Sequence, residues 1–128
     1  MSPKRSIDVE GMAHNAPIPM GAKVRGVVYS SGIMGTDRST GEIPDDGTTQ
    51  VRNAFANLLA FLDAAGASTD DLVRVTVALA DNSLRTAVNE EWLKLFPDPE
   101  DRPARHTDNH ELQRNMLIQL EVVAVLSA

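Results

Sequence analysis

The 128-residue sequence contains no cysteine, and only 4% of its residues are aromatic. Without thiols the chain has no disulfides and no thiolate nucleophile, and most types of zinc site are excluded. A sequence of this kind is indifferent to the redox state of its compartment. We therefore expect a small cytoplasmic protein.

Long apolar runs and basic runs are also missing. No apolar stretch approaches the roughly 20 residues of a membrane span. Residues Met1–Arg5 are basic, but Ser6–Glu10 alternate polar and apolar residues, unlike a signal-peptide core. Lys and Arg number 12 against 18 Asp and Glu, a net charge of −6, and they form no stripe that could follow a phosphate backbone. We expect no membrane partner and no nucleic-acid partner.

The remaining composition, 42% hydrophobic and 23% charged, is that of one globular domain covering residues 1–128. A chain this short buries only about two thirds of its unfolded surface. A sheet face left bare by one subunit would therefore be covered by another, and oligomerisation is a reasonable expectation.

The first half of the chain predicts a short strand at Ser6–Val9, strands within residues 23–31 that join or bend near Gly26, a turn over residues 35–41, and a helix over about residues 48–65. Asp46 or Thr48 can cap this helix, and Gly66 can close it in the left-handed conformation. Its buried face repeats at helical spacing, through Val51, Phe55, Leu58, Leu62 and Ala65.

The second half predicts a strand at Val73–Leu79, a helix capped by Ser83 and stopped by Pro97, and strands at Ala104–Asp108 and Asn115–Leu126. The order β-β-α-β-α-β-β favours an α+β fold with both helices on one side of the sheet. Within the last strand, Gln119 and Glu121 share an otherwise apolar face, and this anomaly needs a partner or a function.

Several segments resemble the RidA/YjgF family, also labelled L-PSP endoribonuclease. They are Ser30-Ser-Gly-Ile33, Gly41-Glu-Ile-Pro44, Gln50, Ala64-Ala-Gly66, Asp71-Leu-Val73, Val88-Asn89 and Arg102-Pro-Ala-Arg105. The resemblance spans about residues 15–126 in conserved order. It implies a chorismate-mutase-like fold, whose sheets form the inside of a homotrimer with ligand clefts between subunits.

The resemblance also implies a site. In relatives that hydrolyse enamines and imines, the arginine of the Pro-Ala-Arg motif grips the substrate carboxylate, and here that residue is Arg105. A guanidinium suits the role because it offers paired donors and keeps its charge near neutral pH; the alternative is an exposed strand arginine. Backbone groups near Gly32 and Thr107 are expected to bind substrate, with Ser31 and Asn89 lining or supporting the cleft.

Two positions depart from the deaminating relatives. Gln119 stands where they have a glutamate that positions water, and an amide cannot take a proton, although it can hold a water molecule. Glu121 could supply the missing carboxylate, but a structural role at a subunit interface is the better interpretation. Lys23 replaces a tyrosine of the cleft. It would help Arg105 to favour a dianionic ligand, or it is simply a solvated lysine.

The sequence leaves two functions open. One is hydrolysis of an enamine or imine to a keto acid and ammonia, with Arg105 binding the carboxylate, Gln119 orienting water, and no metal or organic cofactor. The other is a non-catalytic trimer that binds a small carboxylate metabolite, which Gln119 favours. Ribonuclease activity fits the −6 charge poorly. His106 and His110 have a zinc-like spacing, but on a strand and loop rather than a helix, and His106 is expected to point away from the face of Arg105.

Overall fold

A computed structural model describes residues 4–14 and 16–127. Its two helices are α1 (Gly47–Ala65) and α2 (Arg85–Leu95), and short 3₁₀ turns at Thr69–Asp71 and Asn82–Leu84 precede β5 and α2. The strands are β1 (Ser6–Ile7), β2 (Gly21–Val24), β3 (Val27–Ser30), β4 (Ile33–Met34), β5 (Leu72–Leu79), β6 (Ala104–Asn109) and β7 (Ile118–Val125).

The seven strands form one mixed sheet in the order β1-β2-β3-β7-β5-β6, and β4 pairs with β7 just beyond the end of β3. Only β5 and β6 run parallel. The chain reaches that pairing through α2, as a parallel connection requires. This topology places β6 at one end of the sheet, with one of its edges unpaired by any described strand.

The core lies between the sheet and the helices. On the sheet side, the core includes alternate residues of β5 and β7. On the helix side, it includes the apolar stripe of α1 together with Val88 and Trp92 of α2. The fully or almost fully buried hydrophobic residues of β5, β7 and α1 are Val75, Val77, Leu79, Ile118, Leu120, Val122, Ala124, Val51, Ala54, Phe55, Leu58, Phe61, Leu62 and Ala65. Both helices cover the same face, which confirms the expected α+β architecture.

The opposite face, here called the open face, has no helix on it. Val24 pairs with Val27, and Val27 pairs with Val125, so the three side chains lie side by side. They remain 50%, 38% and 46% exposed, and Tyr29 nearby is 60% exposed. An apolar strip of this kind is typical of a protein surface that binds another protein.

A buried glutamine fastens the start of α1 to the approach of β7. The side-chain amide of Gln50 donates to the carbonyl oxygens of Pro44 at 2.7 Å and Asn115 at 2.9 Å. Its oxygen accepts from the backbone N–H of Leu117 at 2.8 Å. The Asn115 carbonyl and the Leu117 N–H thus bond to this side chain instead of a strand, and β7 begins at Ile118 rather than at Asn115 as the sequence suggested.

Helix ends were predicted with mixed success. Asp46 caps α1 by accepting from the backbone N–H of Thr49 at 3.0 Å, and Gly66 closes it at φ 75°. The prediction that Ser83 caps the second helix is wrong. Ser83 lies inside the 3₁₀ turn, where its own N–H donates to the carboxylate of Asp81, and α2 begins two residues later at Arg85.

Two strand predictions also need correction. The first strand ends at Ile7, because Val9 instead forms an isolated bridge with Met12 across a turn. Strand β4 was not expected, since two residues are too few to show an alternating pattern. The bend near Gly26 is confirmed as the β2–β3 hairpin, with φ of 51° at Arg25 and 80° at Gly26. Within residues 4–14 and 16–127, no helix is long and apolar enough to cross a membrane.

We expect Gln50→Leu to lower the free energy of unfolding by about 2–4 kcal/mol, because three backbone groups would lose a buried partner. Chemical denaturation monitored by circular dichroism measures the change. Gln113→Leu, at an exposed position, is the matched control and should change stability by less than about 0.5 kcal/mol. Equal stability of the two variants would contradict the assigned role of Gln50.

Candidate functional site

Arg105 lies on the end strand β6, beside α2. It pairs with Val75 of β5, whose side chain is buried under the helices, so the guanidinium points to the helix-covered face. There its Nη2 donates to Asn89 Oδ1 at 2.7 Å and its Nε to Thr107 Oγ1 at 3.0 Å. The guanidinium also lies 5.2 Å from the centre of the Trp92 ring. The side chain is half-buried and held in place from three sides.

No carboxylate neutralises this guanidinium within the described part of the chain. Its hydrogen-bond acceptors are an amide and a hydroxyl, and no described Asp or Glu comes within 4.0 Å. Burial lowers the pKa of Arg105 from its ordinary value, and the positive charge of Arg85 lowers it further. An arginine still keeps its proton at neutral pH. The site therefore contains a cation that is held in a fixed position and that has no anionic partner among the described residues.

The free edge of β6 adds backbone donors beside this cation. The N–H of His110 donates to Leu79 O on β5, and N–H groups alternate in direction along a strand. The N–H of Thr107 therefore points away from β5. The Thr107 carbonyl also points away from β5, because its oxygen accepts a hydrogen bond from Arg85 Nη2 at 3.4 Å. A guanidinium beside an outward amide can bind a carboxylate.

A second group of predicted residues lies elsewhere. Gln119 of β7 packs on Gly32, and a Cβ added at Gly32 would come 2.6 Å from Gln119 Nε2. The Gln119 amide makes no hydrogen bond to another described residue. Gly32 and Gln119 line a broad groove of about 1270 Å³ with Met34, residues 111–116 and the segment around Met12. Gln119 is free to hold a water molecule or ligand there.

The two groups do not meet within one chain. Gln119 pairs with Ala78, which pairs with Asp108, whereas Arg105 is three residues earlier on the same strand. An odd separation along a strand reverses the direction of the side chain. Arg105, Asn89 and Thr107 thus lie on the helix-covered face, and Gln119 on the open face. A single site that contains both groups requires two chains.

Lys23 also lies apart from Arg105. It belongs to β2, four strand positions from β6, or about 19 Å at the usual strand spacing. Its ammonium donates to the carbonyl oxygen of Ala65 at 2.9 Å. The last turn of α1 contains no basic residue of its own, so Lys23 supplies the cation that a helix C-terminus favours. The predicted pairing of Lys23 with Arg105 does not occur within a subunit.

The other predicted residues have less specific surroundings. Ser31 is half-buried, and its N–H donates to Met20 O. Glu121 is exposed on the open face beside Thr76. His106 also pairs with Thr76, so it points away from the face of Arg105, as expected. Its Nε2 lies 2.9 Å from Asp108 Oδ2, and His110 Nε2 lies 3.7 Å from the same oxygen.

Sequence reasoning missed Arg85. It is the first residue of α2, one helical turn before Asn89, so the two side chains share a face. Besides donating to Thr107 O, its guanidinium donates to Asn82 Oδ1. The signal was available in the sequence, four residues before Asn89. It was overlooked because none of the segments that carry the family resemblance includes Arg85.

Comparisons with known proteins give a consistent result. The family model for endoribonuclease L-PSP matches residues 13–126. A RutC family protein of Aquifex aeolicus is 33% identical over 116 residues, covering 86% of this chain and 93% of the relative. The 2-iminobutanoate/2-iminopropanoate deaminase of Escherichia coli K12 is 31% identical over 118 residues, covering 87% and 92%. The crystal structure of E. coli TdcF with bound serine superposes with a TM-score of 0.86 at 28% identity, covering 97% of this chain and all of that one.

Proposed function

The chain belongs to the endoribonuclease L-PSP family, also known as RidA/YjgF, and on this premise we propose that it hydrolyses reactive enamines or imines to keto acids and ammonia. The observation that supports this most is the Arg105 guanidinium, which is half-buried and has only neutral partners. The substrates that the E. coli relative is named for, 2-iminobutanoate and 2-iminopropanoate, each have one carboxylate that such a cation can bind.

The proposed reaction adds water across a C=N bond. The substrate carboxylate binds Arg105 and the outward N–H of Thr107, which fixes the position of the imine carbon. A water molecule, accepting or donating a hydrogen bond at the Gln119 amide, attacks that carbon. The carbon–nitrogen bond then breaks, ammonia leaves, and the keto acid remains. Because an amide takes no proton, proton transfer must use water or the substrate nitrogen, and orientation supplies the acceleration.

The proposed active site lies between two subunits of a homotrimer. Arg105, Asn89 and Thr107 come from one chain, and Gln119 with Gly32 comes from its neighbour. Two features support this arrangement: these groups occupy opposite faces of the sheet in each chain, and the open face presents Val24, Val27 and Val125 to solvent. Covering those valines supplies the hydrophobic free energy of association.

Non-catalytic binding of a carboxylate metabolite is the second candidate. Gln119 favours it, because loss of a general acid–base group typically removes a factor of about 10²–10⁴ in rate. The same cation would then retain a ligand without converting it. Binding of stable keto acids alone does not distinguish the two functions, whereas turnover of imines does.

Arg105→Ala is the first test. We expect the wild-type protein to accelerate the decay of imines that an amino-acid oxidase generates from neutral and acidic amino acids, measured as keto-acid release. Loss of the carboxylate partner should reduce this acceleration at least about tenfold. Arg52→Ala, an exposed arginine on α1, should retain it. If the wild-type protein accelerates none of the imines while keto acids still raise its melting temperature, the binding function is correct and the enzymatic one is wrong.

Gln119→Glu tests the water-orienting role. Restoring a carboxylate at this position should raise kcat by about 10–100-fold, because a general base can then remove a proton from the attacking water. The rate of this variant should also rise with pH as the new carboxylate ionises, whereas the wild-type rate should lack that titration. An unchanged rate and pH profile would show that position 119 does not contact the attacking water.

A mixture of two inactive variants tests the intersubunit site. Arg105→Ala and Gln119→Ala chains, unfolded together and refolded, should recover activity that neither homogeneous variant shows. In randomly mixed trimers about a quarter of the sites combine an intact Arg105 from one chain with an intact Gln119 from the next. Recovery of about 25% of wild-type activity is therefore expected. No recovery, from a mixture shown to exchange subunits, would show that the two residues do not act together in an intersubunit site.

A further inference from the structure

We propose that Arg85 is a second cationic group of the Arg105 site and that it selects ligands with two anionic groups, such as a short-chain imino-dicarboxylic acid. This inference rests on the proposed function, because it names the substrate class of the same site. It assigns to Arg85 the selectivity that the sequence suggested for Lys23.

Arg85 and Arg105 both donate hydrogen bonds to Thr107. Arg105 Nε donates to the Thr107 hydroxyl at 3.0 Å, and Arg85 Nη2 donates to the Thr107 carbonyl oxygen at 3.4 Å. Both guanidinium groups are therefore anchored to one residue of the free edge of β6. Asn89, which holds Arg105, lies one turn after Arg85 on the same helix face.

The charges of Arg85 and Arg105 are not balanced by nearby carboxylates in the described residues. Arg85 has no acidic partner within 4.0 Å in the described residues, and the same holds for Arg105. Two nearby positive charges repel each other, and the approach of Arg85 contributes to the lowered pKa of Arg105. A bound anion would offset this repulsion through an attractive interaction with each guanidinium.

The helix dipole of α2 does not favour an arginine at position 85. It occupies the first turn of α2, where the helix dipole favours anionic side chains and disfavours cations. Arg85 is exposed, but its hydrogen bonds to Asn82 and Thr107 hold the guanidinium beside the strand. The arrangement is unfavourable for the helix alone and favourable for an anion at the edge of β6.

Geometry limits the ligand to a small dianion. One carboxylate would occupy the Arg105 guanidinium and the outward N–H of Thr107, and the second would reach Arg85. Because both arginines contact the same residue, a few carbon atoms suffice to separate the two anionic groups. A 2-imino acid with a side-chain carboxylate has this form, and so does the 2-oxo-dicarboxylate that its hydrolysis yields.

Isothermal titration with two stable keto acids tests the proposal: 2-oxoglutarate as the dianion and 2-oxobutanoate as the monoanion. The wild-type protein should bind the dianion about five- to tenfold more tightly. Arg85→Met should abolish that preference and change the monoanion affinity less than about twofold, and Arg85→Lys should retain part of it. Arg52→Met controls for the loss of one positive charge elsewhere, and the melting temperature of each variant confirms folding.

Two results would overturn the assignment of Arg85: equal wild-type affinity for both keto acids, or a dianion preference that survives Arg85→Met. If the surviving preference were lost in Lys23→Met, the selectivity would belong to Lys23. Each leaves the proposed hydrolysis intact if imine turnover still depends on Arg105. Binding of neither keto acid, together with no Arg105-dependent turnover, would instead remove the proposed function itself.

Discussion

The half-buried guanidinium of Arg105 is the interaction on which the site depends. Removing a cation from water costs free energy unless a partner compensates, and in the described residues that partner is not a carboxylate. Asn89, Thr107 and the face of Trp92 offer hydrogen bonds and a favourable quadrupole, which hold the group in place without cancelling its charge. The protein keeps an oriented, unneutralised cation, as recognition of an organic anion requires.

The pleat of the sheet then decides how a complete site can form. Arg105 and Gln119 have opposite orientations because their paired positions on β5, Val75 and Ala78, are separated by an odd number of residues. No side-chain rotation within one chain reverses that. If both residues act on one substrate, as we propose, the open face of one subunit must meet the β6 edge of another. The exposed valines of β2, β3 and β7 lie on the same face, and burying them against another subunit would also favour association.

Sequence patterns predicted the elements whose signals are local. The stripe of α1 and the alternation of β5 from Val75 to Leu79 follow from periodicities of 3.6 and 2, whereas Val73 is exposed beside a register shift. The caps at Asp46 and Gly66 follow from residue type, and Arg105 was identified from the Pro-Ala-Arg segment. The surroundings of Lys23 could not be predicted, because its partner Ala65 is 42 residues away. Residue types along a strand give the side-chain period, but only the register against neighbouring strands gives the face.

The start of α2 is a second feature that local sequence patterns did not predict, and it lies beside the candidate site. Ser83 has the chemistry of a capping residue, yet Asp81 takes that local role and forms a 3₁₀ turn that delays the helix to Arg85. Arg85 and Asn89 are one helical turn apart, so their side chains lie on the same face of α2. Competition between two capping side chains at the start of α2 is a result that composition and periodicity do not contain.

Gln119 determines what chemistry an anion site of this kind can perform. A carboxylate there would provide a base, but its negative charge would also oppose the second carboxylate of a dianionic ligand at short range. A neutral amide orients water without that repulsion. In the site that we propose, with two arginines and a doubly charged ligand, a glutamine at position 119 gives up proton transfer and avoids an unfavourable like-charge contact. Arg85 and Gln119 thus both suit the doubly charged ligand that we propose for this site.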